Sequence, residues 1–343
     1  MNKNSPTVTV KSAYQALSAA GFPKSFVARL LPDWWDNALF KTSTGAIEFA
    51  SILKQRLGLD VGFAESGELQ ILTPDRRARY KKRAATMESE LQVCSTLAVA
   101  MGKLALFCME QPAQPLINDP VMLAKMVRAG SDSNAVSFQA LLDFCWSQGV
   151  PVLFLKDLPR GSKRVTGMAL RIEGSPVIVL GYQSSQNAKQ LFVLAHELAH
   201  VCLGHVDNSG VLIDEGMEAI TESMEADRGN QSDPEERQAD RFALTLLRNG
   251  HFKLPGLEQT PGSPAELSNE AVSQGKQLKI DPGHIILSYA REHDDWLIGH
   301  QALGYLPDQE TAMELLKDRF LSHCQVDKLS DDNRAYLLSM QGF

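Results

Sequence analysis

The chain has 343 residues, of which 22% are charged and 44% hydrophobic, and a formal net charge of −7. That length supports two or three domains with a sizeable core, and the acidic balance argues against general coating of nucleic acid. The charge is uneven, with 13 Lys/Arg against 8 Asp/Glu in residues 1–89 and 21 against 33 in the remainder, so the two parts suit different partners. The five cysteines (Cys94, Cys108, Cys145, Cys202, Cys324) are scattered and form no C-x-x-C. That favours buried thiols in a reducing compartment over a disulfide framework or a Cys-based metal site. The opening MNKNSPTVTV lacks an apolar signal region and no run of membrane-spanning length is evident, so the expected location is the cytoplasm, with no membrane partner.

Residues 11–31 predict two helices hinged at Gly21-Phe22-Pro23, with Tyr14, Leu17, Phe26, Val27 and Leu30 on one core face. A small-residue turn between short helices is helix-turn-helix-like. Residues 1–74 are therefore expected to form a helical domain, either reading DNA or serving a structural or partner-binding role. Trp34 and Trp35 read as core or interface anchors. A third helix, capped by Ser43 or Thr44 and stopped by Gly58, carries Ile47, Phe49, Ile52 and Leu53. Residues 75–130 form a basic linker and helices. The strip from Arg76 to Arg83 is either a phosphate-contacting surface for nucleic acid or a solvated helix face at a domain boundary. A long buried helix over 87–109 and a short one over 121–127 follow.

Residues 131–250 have a different rhythm. An amphipathic helix over 138–147, closed by Gly149, leads into strand-like runs at 150–155, 165–172 and 176–180, the last two joined by Glu173-Gly174-Ser175. A helix capped near Ser185 or Asn187 comes next. Strand, hairpin and helix make a compact α+β unit. Residues 207–233 are acidic and loop-like, a solvated insertion or a docking surface for a basic partner. A helix over 234–248 ends at Asn249-Gly250. Glycine- and proline-rich sequence then opens the C-terminal helical region, 251–343, with apolar stretches at 285–290, 296–303, 311–320 and 333–340.

The chemistry concentrates in residues 191–204, LFVLAHELAHVCLG. A helix this apolar around its circumference belongs in a core, where His196, Glu197 and His200 need partners. His196 and His200 stand one turn apart on one face, the spacing with which two imidazoles share a tetrahedral cation, and Glu197 can reach a water on it. This is the H-E-x-x-H signature of Zn²⁺ sites. A third ligand is needed. His205 is out of register with H-E-x-x-H-x-x-G-x-x-H, because Leu203 and Val206 hold the glycine and third-histidine positions. Glu236 is the better candidate, with Asp240 one turn later placed to fix the tautomer of a ligand imidazole. Asp233-Pro234-Glu235-Glu236 also reads as a capping box, so Glu236 could be only a cap, or Glu235 the ligand.

These segments resemble the ImmA/IrrE metallo-endopeptidases over about residues 138–247. The resemblance is carried by FCWSQGVPVLFLKDLP, GMALRIEGSPVIVLG, LFVLAHELAHVCLGH and EERQADRFALTLL, the last matching E-x-x-A-[ND]-x-F-A at Glu236, Ala239, Asp240, Phe242 and Ala243. It implies a zincin-like core with His196, His200 and Glu236 on Zn²⁺ and Glu197 as catalytic acid/base. It also implies a protein substrate, since relatives cleave helix-turn-helix repressors and so switch on stress, mobile-element or defence genes. The long acidic segment departs from the family pattern. The strand over 165–172, with Met168, Ala169 and Leu170, is a candidate edge for pairing with an extended substrate. Tyr182, His251, His284, Tyr289 and His300 are candidate donors to an oxyanion. The competing reading is a DNA-binding transcriptional regulator whose zincin-like domain senses or binds a partner without hydrolysis.

Overall fold

A computed structural model describes residues 9–64, 68–72, 78–81, 88–132, 134–206, 210–214, 234–251, 254, 261–307 and 310–343. The chain opens with helices α1 (Val10–Ala19) and α2 (Lys24–Leu30), turning through Gly21 at positive φ. Helix α3 (Ser43–Leu57) is capped by the Thr42 hydroxyl, one residue before the predicted caps, and ends at left-handed Gly58. The region is not purely helical, as a hairpin of β1 (Asp60–Phe63) and β2 (Leu69–Leu72) follows. Helix α2 buries Phe26, Val27 and Leu30, and its Arg29 pairs with Asp157 at 2.9 Å. Trp35 joins Phe40 and Phe49 in an aromatic cluster, whereas Trp34 is exposed and donates to Asp332.

Strand β3 (Ala78–Lys81) lies within the basic strip, where a helical surface was one expectation; the rest of that strip lies outside the described residues. Helix α4 (Glu88–Cys108) is the long buried helix. Contrary to the sequence reading, its Leu91–Cys108 stretch is long and apolar enough to cross a membrane, but 78% of it is buried inside the protein. Helices α5 (Pro120–Ala129) and α6 (Phe138–Ser147) lead into β4 (Val152–Phe154), β5 (Gly167–Ile172) and β6 (Ser175–Leu180). Glu173 and Gly174, both at positive φ, make the two-residue turn whose twist suits a hairpin. Helix α7 (Asn187–Cys202) has Gln186 as its N-cap residue, between the two expected positions, but no side chain there bonds to the helix.

Strand β7 (Val211–Asp214) falls inside the acidic segment expected to be loop, the remainder of which, with the proposed Asp233 cap, lies outside the described residues. It is followed by α8 (Pro234–Leu247). The C-terminal region holds α9 (Pro264–Leu278), α10 (Pro282–Glu292), α11 (Trp296–Leu303), α12 (Ala312–His323) and α13 (Asp331–Gln341). Helix α9 occupies sequence expected to be a connector. Pro264 sits in its first turn and Ser263 caps it, so the proline starts a helix there.

The main sheet runs β3-β7-β5-β6-β4. Strand β5 pairs antiparallel with β6 on one side and β7 on the other. Met168, Ala169 and Leu170 are thus mid-sheet, correcting the expectation of a free edge: Ile213, Leu212 and Val211 already fill their pairing positions. A Cβ at Gly102 of α4 would crowd Ile172 and Val177, and one at Gly167 would overlap Glu197 of α7. Side chains alternate along a strand, so Met168 and Leu170 face α4 while Gly167 and Ala169 face α7. The sheet is sandwiched between these helices.

One core cluster draws on residues from α1 through α8 and from α12 and α13, while Leu254 and α9–α11 build a smaller one. The buried Tyr336 hydroxyl of α13 donates to the Arg56 carbonyl of α3, tying the two chain ends together. Val211, Leu212 and Ile213 are all buried, and burial of such side chains stabilises by roughly 1.5–3 kcal/mol each. Strand β7 is therefore part of the core. Leu212→Ala is expected to lower the unfolding free energy by about 2–5 kcal/mol, read as a shifted urea midpoint; a change within about 0.5 kcal/mol, as for a surface site, would show β7 to be a loose strap.

Candidate metal centre

Helix α7 is buried along almost its whole length, and His196, Glu197 and His200 are 2%, 0% and 0% exposed. Its polar groups must therefore be met by protein. Helix α8 runs antiparallel beside it, bringing Glu236 to His200 and Asp240 to His196. Positions 236, 239, 240 and 243 form one helical stripe, so the two carboxylates share a face with the small, buried Ala239 and Ala243.

The Nε2 atoms of His196 and His200 are 3.0 Å apart. Glu236 stands 3.3 Å from each, through Oε2 to His196 and Oε1 to His200. Three residues thus converge, Glu236 turning one oxygen toward each imidazole, and they form the metal-type cluster among the described residues. Donors held at about 2.0–2.1 Å around a tetrahedral cation lie roughly 3.3–3.4 Å from one another. The observed separations match that figure to within a few tenths of an ångström, so the residues fit a cation.

The protonation states agree. Burial, partly offset by Glu236, lowers the His200 imidazole to about 4, leaving it neutral, the form that ligates. Burial alone would push the Glu236 carboxyl up, but the two imidazoles against it hold it well below the ordinary carboxylate range. Asp240 Oδ1 lies 2.9 Å from His196 Nδ1, a carboxylate against the outer ring nitrogen that favours a proton there and leaves Nε2 for the cluster.

Among the expected ligands, Glu235 is outside the cluster and so is His205. The ring nitrogens of His205 lie 2.9 Å from His200 Nδ1 and 3.1 Å from Gln238 Oε1. Of the oxyanion candidates, His251 and His300 are exposed, and Tyr289 is packed in the smaller core against His293. His284 is buried in α10 and lowered to about 3 by that burial and by Arg248. Tyr182 is half-buried, and its carbonyl accepts from Gln190 at 2.6 Å.

Sequence reasoning missed Gly167, which leaves the space that the Glu197 carboxylate fills. The only signal was a glycine at the start of an otherwise bulky strand, a position where a close approach is one of several explanations.

Residues 145–256 match the M78 peptidase family, described as an IrrE N-terminal-like domain. No curated protein and no solved structure showed a match to the chain. The matched stretch holds β4–β6, α7, β7 and α8, hence the whole cluster, and leaves the N-terminal elements and α9–α13 outside it.

Asp240→Asn is expected to weaken divalent-metal binding by roughly 10–100-fold, measured by competition with a chelator, and Glu236→Ala to leave the dialysed protein without stoichiometric metal. Binding unchanged in both would remove α8 from the site. Chain order, helix spacing and the convergence of His196, His200 and Glu236 agree with the family match: the segment 145–256 is similar to the IrrE N-terminal-like domain of the M78 peptidases and carries a metallopeptidase-type cluster.

Proposed function

We propose that this protein is a zinc endopeptidase that cleaves one or few protein substrates, a helix-turn-helix transcriptional repressor being the substrate class, and thereby derepresses stress, mobile-element or defence genes. The observation that carries the reading is a carboxylate, Glu197, buried on the same helix as two imidazoles that meet Glu236 at ligand spacing. His196, His200 and Glu236 would hold the Zn²⁺, whose chemistry is to polarise a carbonyl and to acidify a water.

Glu197 then does the proton work. As a water attacks the peptide carbonyl, its carboxylate takes the proton, and it passes that proton to the departing amine nitrogen. The absence of a Cβ at Gly167 gives the carboxylate its place beside the sheet. A regulator that merely bound a partner would have no use for an acid/base so positioned, which favours hydrolysis over the non-hydrolytic reading. All five cysteines are free and four are buried, in keeping with a reducing, cytoplasmic setting.

Glu197→Gln is expected to lower cleavage by about 10²–10⁴-fold while zinc content stays at one per chain. The assay incubates the full chain and zinc with any small helix-turn-helix protein that the adjacent reading frame encodes, followed by mass spectrometry of the fragments. Full cleavage by that variant would sink the mechanism. Gly167→Ala is expected to reduce cleavage and spare zinc binding, since its methyl group invades the space of Glu197 and not that of the ligands.

A further inference from the structure

His205 follows the metal-type helix, and its position is fixed by the way that helix ends. Gly204 adopts positive φ, the His205 N–H donates to the His200 carbonyl at 3.0 Å, and the Gly204 N–H donates to Val201 at 3.3 Å. This is a Schellman closure. It swings His205 back under His200, so the two residues are joined through backbone and through side chain. The His205 ring is buried, while Gln238 on α8 is exposed.

The two side-chain contacts set proton positions in sequence. The oxygen of an amide only accepts, so His205 Nε2, 3.1 Å from Gln238 Oε1, is the nitrogen that carries the proton. Its Nδ1 is then a bare acceptor. His200 Nδ1, 2.9 Å away, must be the donor in that pair. With the His200 proton on Nδ1, its Nε2 keeps a lone pair, and Nε2 is the atom that meets Glu236 and His196. Reversing the Gln238 amide would reverse every step and put a proton on His200 Nε2, against the cluster. Asp240 performs the corresponding duty for His196.

We propose that Gln238 and His205 form a two-bond relay that fixes the His200 tautomer, making both of them positioning residues for the metal centre. The proposal rests on the cation-binding part of the proposed function and not on peptide hydrolysis. It also accounts for a histidine nine residues after His196 that fits no ligand register.

The test measures Zn²⁺ affinity of the full chain by chelator competition, together with ¹⁵N NMR of labelled histidine in the metal-free chain to read which nitrogen of His200 is protonated. His205→Phe fills the space without an acceptor and is expected to weaken zinc by roughly 10–100-fold. His205→Asn, whose side-chain oxygen takes the place of Nδ1, is expected to restore most of that loss. Gln238→Met, at an exposed position where folding is not at stake, is expected to give a smaller loss and a mixture of His200 tautomers. Gln238→Glu, an obligate acceptor, is expected to keep the Nδ1–H form. Parental affinity in both His205→Phe and Gln238→Met, or a parental His200 protonated on Nε2, would overturn the relay alone. A parent chain that binds no zinc would overturn the metal-site reading and the relay with it.

Discussion

The structure depends on the antiparallel contact of α7 with α8. Helix α7 is apolar on nearly every side and packs against the sheet, α6, α8 and α10, so its three polar side chains are buried among protein groups. Leaving two imidazoles and a carboxylate unsolvated costs several kcal/mol. Helix α8 offsets part of that cost with Glu236 and Asp240, and a cation shared by the facing lone pairs would offset more. The small Ala239 and Ala243, on the same stripe as these carboxylates, let the helices come close enough for the contact.

A second constraint comes from the sheet. On the α7 side β5 presents Gly167 and Ala169, and on the α4 side Met168 and Leu170. That asymmetry lets α7 press close to the strand with its Glu197 carboxylate filling the space at Gly167, while larger side chains fill the gap to α4. The strand therefore contributes to the site by what it lacks.

The cluster of His196, His200 and Glu236 was legible because it follows helical arithmetic: the four-residue steps from His196 to His200 and from Glu236 to Asp240 are local spacings that the fold transmits unchanged. The hairpin 167–180 was legible for the same reason, with alternation and a Glu173-Gly174 turn. What was not legible depended on distant partners. Strand β7 has the short apolar sequence VLID within acidic surroundings, and pairing with β5 and β3 makes it a strand. The linkage of His205 to Gln238 joins residues 33 apart in the chain, and no local period announces it. Helix α9 was obscured by Gly and Pro, although Ser263-Pro264 is itself a helix start.

The closure of β5 by β7 bears on how a substrate is chosen. Backbone pairing with an open strand accepts many sequences, because main-chain N–H and C=O groups are common to all peptides, and the pockets between them supply the selectivity. Strand β5 is not such a strand: Gly167, beside Glu197, is paired through Asp214 on one side and Leu180 on the other. Under the proposed function, a peptide reaching Glu197 gains no ladder of hydrogen bonds from β5 and must be held by side chains and by surfaces beyond the sheet. Of the helices outside the matched stretch, α1–α5 on one end of the chain and α12 and α13 on the other are built onto the same core. A site that forgoes generic strand pairing suits a peptidase with one or few protein targets better than one that degrades peptides at large.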